Sequence, residues 1–233
     1  VAADGRVAAE PSVAAAHREA GREARRKMTN LLSDADRARI SAAIQQAEKQ
    51  TSGEIVAVLS RESDTYLFAP FLWAAVLALI VPWPIIYFTW WPVAWIYLAQ
   101  LATFAFILAM TLPRPVRYGL VPKSVKEQRA YRRAVEQFLV QSLHTTPDRT
   151  GVLIYVSVAE RYAVILADTA IDAAVERATW QNIVDTLTHH IANGRAGEGF
   201  VEAIHRSGEV LAKHFPPRPR DPNVLPDHLF VLD

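Results

Sequence analysis

The chain has 233 residues, 51% of them hydrophobic, a formal net charge of +1 and no cysteine. Near-neutral charge gives nothing global for nucleic acid to bind, and the lack of Cys excludes disulfides, thiolate metal sites and a Cys nucleophile. The length suits one domain plus a membrane element.

Residues 1–30 are rich in Ala, Arg and Glu, and from Pro11 to Met28 large apolar residues are almost absent. This reads as a charged arm or solvated helix without an apolar core of its own. The same stretch lacks an apolar h-region, so no signal peptide is expected in it. Ser33 with Asp36 three residues on is a capping-box signal, and Ile40, Ala43, Ile44 and Ala47 then share one helical face. Thr51, Ser52 and Gly53 end that helix. Glu54–Ser60 holds a continuous apolar run, the mark of a strand covered on both faces.

From Thr65 to Pro113 there is no Asp, Glu, Lys or Arg. A bilayer core of about 30 Å takes roughly 20 apolar helical residues to cross, so this stretch is long enough for two crossings. They are expected over Ala69–Phe88 and Trp91–Leu112, with Pro82, Pro84, Thr89 and Pro92 in the reversal. Trp83, Tyr87, Trp90, Trp91, Trp95 and Tyr97 crowd around it, as aromatic residues do at a membrane interface. Lys and Arg are abundant on both outer flanks and absent from the loop between the crossings. The positive-inside rule then puts both termini in the cytoplasm.

After Pro113, Pro115 and Pro122, which forbid a long helix, Lys123–Leu143 is expected to be helical. Tyr131, Ala134, Val135, Phe138 and Leu139 form its apolar stripe. Gly151–Val158 and Arg161–Ala167 read as a β-hairpin, with Glu160 and Arg161 at an exposed turn. Asp168–Arg177 is a short helix or turn. Thr179 is placed to cap a helix over Trp180–Ala192, which Asn193 and Gly194 end. The last helix runs from about Gly197 to His214, with Phe200, Val201, Ile204, Leu211 and Phe215 inward. A Pro-rich tail follows over 216–233, with a short edge strand expected at His228–Leu232.

The order strand, helix 123–143, strand is a βαβ unit, expected to pair its two strands in parallel. The hairpin at 65–113 is inserted inside its crossover. An even number of crossings returns the chain to its starting side, so both strands can join one sheet. The expected organisation is an arm over 1–30, a first part of the domain over 31–64, the transmembrane hairpin over 65–113, a second part over 114–215, and the tail.

The chain resembles the TPM domain family. The resemblance is carried by Thr51–Val56, by Arg149–Ser157, by Ala159 to Tyr162, by Ala167 and Asp168, by Trp180 and by the closing Gly197–Phe215 helix. It spans about residues 31–215, and the bacterial membrane-protein branch with an inserted hairpin looks most similar. It implies an α/β/α sandwich with a mixed sheet of three to four strands and a place in the bacterial inner membrane. Family members include thylakoid proteins tied to photosystem repair, accessory and assembly factors of membrane complexes, and one relative associated with acid phosphatase activity. Where many relatives carry a Gly-Tyr-Gly-like run after the third strand, this chain has Asp168, Thr169, Ala170, Ile171 and Asp172.

Two function classes follow. The first is an accessory, assembly or repair factor that sits in the lipid bilayer and binds another membrane protein or complex. The second is a phosphatase-like hydrolase in which Asp168 and Asp172 hold Mg²⁺ or Ca²⁺ through oxygen ligands just past the end of a strand. Against the second stands a plain structural role, with Asp168 capping the next turn and Asp172 solvated. No Ser-His-Asp order, Walker loop, HExxH or GxGxxG occurs. His189 and His190 are adjacent on a helix and point about 100° apart, so they do not chelate one ion together.

Overall fold

The computed structural model describes residues 32–146, 148–218 and 225–232. The arm expected over 1–30 and residues 219–224 of the Pro-rich tail lie outside the described residues. Helix α1 spans Asp34–Glu48 and strand β1 Glu54–Ser60. Then come α2 (Phe68–Ile80), α3 (Pro82–Phe88), α4 (Val93–Thr111), α5 (Arg114–Gly119) and α6 (Lys123–Val140). A 3₁₀ turn at Leu143–Thr145 leads into β2 (Gly151–Ser157) and β3 (Tyr162–Ala167). Helices α7 (Thr169–Ala174), α8 (Arg177–Ala192) and α9 (Ala196–His214) follow, and β4 (Phe230–Leu232) is the last element.

The chain divides into two compact units. One is formed by residues up to Glu62 together with those from Arg133 onward, the other by Ser63–Arg132.

The first unit is built on a mixed four-stranded sheet of order β3-β2-β1-β4. β1 pairs in parallel with β2, from Glu54 opposite Gly151 to Ser60 opposite Ser157, and in parallel with β4 on its other edge. β2 pairs antiparallel with β3, from Val152 opposite Ala167 to Ser157 opposite Tyr162. The strands that flank the inserted hairpin in sequence are therefore direct neighbours. Both are buried along their whole length, as the unbroken apolar runs require.

Alternation at period two divides those strands between two cores. Ile55, Ala57 and Leu59 of β1, with Val152, Ile154 and Val156 of β2, pack with residues of α1, α8 and α9. Val56, Val58, Leu153 and Tyr155 face the other way and pack with Ala134 and Phe138 of α6. The result is an α/β/α sandwich. Ser33 and Asp36 form the expected capping box, and the Ser33 and Arg39 hydrogen bonds hold the Asp36 carboxyl down at about 2.

Several local expectations are corrected. The buried row of α6 is Ala130, Ala134 and Gln137, while Tyr131 and Leu139 are about half exposed. Ala134 belongs to the same core as the large Tyr155, so the side of α6 that meets the sheet carries its smaller apolar residues. Helix α8 begins three residues before Trp180, with Glu176 at its N-cap and Thr179 within the first turn. First-turn amides need no intrahelical acceptor, so a cap signal misplaced by one turn costs the helix little.

In the second unit, Phe68–Phe88 and Val93–Thr111 are two helices long and apolar enough to cross a membrane. Pro82 and Pro84, expected in the reversal, lie instead in the first turn of α3, where a missing N–H leaves no bond unmade. The reversal is confined to Thr89–Pro92. Between Asp64 and Arg129 the unit has its own polar clamp. The Asp64 carboxylate accepts from Arg129 Nη1 at 2.8 Å, and Tyr118 Oη donates to the Asp64 carbonyl at 3.3 Å. Tyr66, fully buried, meets the Tyr118 ring edge-on at 5.3 Å between centroids. Arg114–Gly119 forms a one-and-a-half-turn helix between the prolines, short as expected.

Candidate functional site

The two ends of the parallel pair differ in chemistry. At the amino end of β2 lies Asp168. It was expected at a strand's carboxyl end, which is true of β3; but β3 runs antiparallel, so its carboxyl end sits beside Gly151, where β2 begins. The Asp168 amide donates to the Gly151 carbonyl at 2.9 Å. Its side chain is the N-cap of α7: Oδ1 accepts from the Thr169 amide at 2.6 Å and the Thr169 hydroxyl at 3.2 Å. Oδ2 is buried without a hydrogen bond, with Arg149 Nη1 3.9 Å away. Asp172 lies exposed in the first turn of the same helix. Among the described residues, no three His, Cys, Asp or Glu side chains gather closely enough to hold a metal ion.

The capping role has a measurable cost. Replacing Asp168 with Ala is expected to lower stability by about 1 kcal/mol, the usual loss of an N-cap, in thermal melts with or without added Ca²⁺. A Ca²⁺-dependent rise in the wild-type melting temperature that is absent from Asp168→Ala would instead support cation binding.

The carboxyl end of the parallel pair holds the groups that sequence reasoning placed at an exposed turn. Glu160 is buried, and its carboxylate accepts a hydrogen bond from the Ser157 hydroxyl. The turn is longer than expected, because β2 stops at Ser157 and β3 starts at Tyr162. Val158 and Ala159 instead give their amides to the Ser60 and Arg61 carbonyls, each at 3.0 Å, which prolongs the pairing with β1. Arg161 closes the turn in the left-handed region at φ 51°. Beside it a cavity of about 580 Å³ opens between the hairpin and the end of α8, lined by Val156, Ser157, Arg161, Tyr162, Thr188 and Ile191. Its size and mixed lining suit a small ligand, and open α/β sheets bind ligands at this end of their strands. The signal available in the sequence was a Ser and a Glu three residues apart across a turn.

A third group had no sequence signal. Glu48, at the end of α1, receives the Ile55 amide on Oε1 at 3.0 Å. Burial pushes its carboxyl up to about 9; the Ile55 hydrogen bond opposes that, and the charges of Glu54 and Asp227 add to it. Asp227 lies just before β4, so this group joins the last strand to the start of the sheet.

His190 Nε2 lies 3.0 Å from a Glu202 carboxylate oxygen, bridging α8 and α9. His189 touches Asn193 near the C-terminus of α8. The two imidazoles thus have separate partners.

Residues 120–210 match the family model described as TPM domain. The fold is similar to that of the BA42 protein from the psychrophilic bacteria Bizionia argentinensis, solved by NMR. The TM-score is 0.55 at 22% identity, over 86% of this chain and 94% of that one. No curated protein matches the sequence. The matched residues hold the β2–β3 hairpin, α8 and most of α9, and on them the chain carries a TPM domain.

Proposed function

We propose that this is a membrane-anchored TPM-domain protein that binds another membrane protein or complex as an accessory, assembly or repair factor. The observation that carries the reading is the character of the helices inserted between β1 and β2. At 1.5 Å per residue, Phe68–Phe88 and Val93–Thr111 are about 31 and 28 Å long, the thickness of a bilayer core. Their large apolar side chains are exposed on every side: Leu79, Leu101 and Phe106 are each at least 60% accessible. Water would penalise so large an apolar surface, whereas hydrocarbon accepts it. Trp90, fully accessible in the reversal, has the amphipathic ring that a headgroup layer holds. The flanking Lys and Arg residues favour a cytoplasmic lobe.

The test is made on the full chain in its source cell. It is expected to stay with the membrane through an alkaline carbonate wash, and to bring a stoichiometric membrane protein with it in mild detergent. Release by carbonate would remove the anchor, and purification as a single species would remove the partner.

A further inference from the structure

The hairpin keeps the hydroxyls of three of its threonines satisfied internally. Thr89, Thr103 and Thr111 each donate to the carbonyl four residues back, at 2.6, 2.8 and 2.7 Å. Gln100 does not follow that pattern: its side-chain amide makes no hydrogen bond to any described residue. It is the eighth of the 19 residues of α4, about 10 Å from one end and about 17 Å from the other. In a membrane that depth is close to the middle of the hydrocarbon, where an unpaired amide is costly.

Gln100 also sits where a further helix has room. It lines a cavity of about 480 Å³ between α2 and α4, with Ala75, Ala78, Tyr97, Leu101 and Phe104. The small Ala75, only partly covered, leaves space for close approach of another backbone. A primary amide is both donor and acceptor, so its complement is another amide in the opposite orientation. A two-fold axis beside this groove would supply that group from an identical chain at the same depth.

We infer that the hairpin associates with a second copy of itself in the membrane, with Gln100 of each copy hydrogen-bonded to its counterpart across a two-fold axis. The inference rests on the membrane reading above. An interhelical hydrogen bond in lipid is worth a modest amount, so a reciprocal pair shifts the dimer equilibrium by about three- to tenfold.

The absence of cysteine makes the test direct. Leu101→Cys, in the groove, and Phe106→Cys, on the far side of α4 from it, are placed separately in the full chain. Each is oxidised in membrane vesicles after a carbonate wash. Disulfide dimer is expected from Leu101→Cys and not from Phe106→Cys. Adding Gln100→Leu to Leu101→Cys should lower the dimer yield about three- to tenfold, and Gln100→Asn should largely preserve it. Equal cross-linking at both positions, or no effect of Gln100→Leu, would overturn the inference while leaving the anchor intact. Loss of the chain in the wash would overturn it through the anchor itself.

Discussion

Phe200→Ala is expected to lower the stability of the TPM lobe by about 3–5 kcal/mol. Phe200 is fully buried in α9, in the core that contains Ile204, Leu187 and the odd-numbered face of β1. The deletion creates a cavity whose cost depends on how far the neighbours can collapse into it, and α9 has little slack. A Cβ added at Gly199 would meet the His190 Cβ at 2.8 Å, and one added at Gly208 would meet the Ala47 Cβ at the same distance. The helix is thus already seated against α8 on one side and α1 on the other. For a lobe of this size the loss corresponds to a fall of roughly 6–20 °C in melting temperature. Val201→Ala, one position on and half-buried, should cost under about 1.5 kcal/mol. Equal shifts in the two variants, followed by circular dichroism of the full chain in detergent, would show that α9 is not packed as described.

The second large effect is a pH dependence set by Glu48. Its carboxyl ionises near the ordinary glutamate value when the chain is unfolded, but only near 9 in the fold, mainly because it is buried. Between those limits the folded state holds one proton more than the unfolded state. Stability must then fall as pH rises, by at most about 1.4 kcal/mol per pH unit. Below the unfolded value both states are protonated and the group costs nothing; above about 9 the full cost is present. Water reaches a half-buried group, so we expect roughly 2 kcal/mol of loss between pH 5 and pH 8. Glu48→Gln keeps an oxygen for the Ile55 amide and cannot ionise. It should match the wild type at pH 5 and exceed it at pH 8. Parallel stability profiles for the two proteins over that range would contradict the assignment.

Much of the lobe was legible because its strands announce themselves. Ile55–Leu59 is apolar without a break, and so short and β-branched a run marks a strand covered on both faces. The βαβ order then forced β1 and β2 together despite the long insertion, and the short edge strand expected at His228–Leu232 forms as β4 over Phe230–Leu232. What escaped were features that depend on the third dimension. The apolar stripe of α6 was centred on its largest residues, whereas the row buried in the fold is Ala130, Ala134 and Gln137. Asp168 was assigned to the binding end of the sheet from the end of its own strand alone; the antiparallel hairpin, itself expected, sets that end beside the start of β2. Glu160 looked like a solvated turn residue, yet the turn folds it back onto Ser157. Glu48 sits on a helix otherwise read for its apolar face, and only the folded chain, by burying it, raises its carboxyl.

In a membrane-anchored chain the two halves of the lobe must share one side of the bilayer while the reversal at Thr89–Pro92 lies on the other. In the cysteine-free chain, Arg39→Cys, Glu209→Cys and Trp90→Cys can each be probed with a membrane-impermeant maleimide in intact cells. The prediction is labelling of Trp90→Cys alone, with positions 39 and 209 reacting only after permeabilisation. Labelling that separates position 39 from position 209, or that groups position 90 with both, would contradict it.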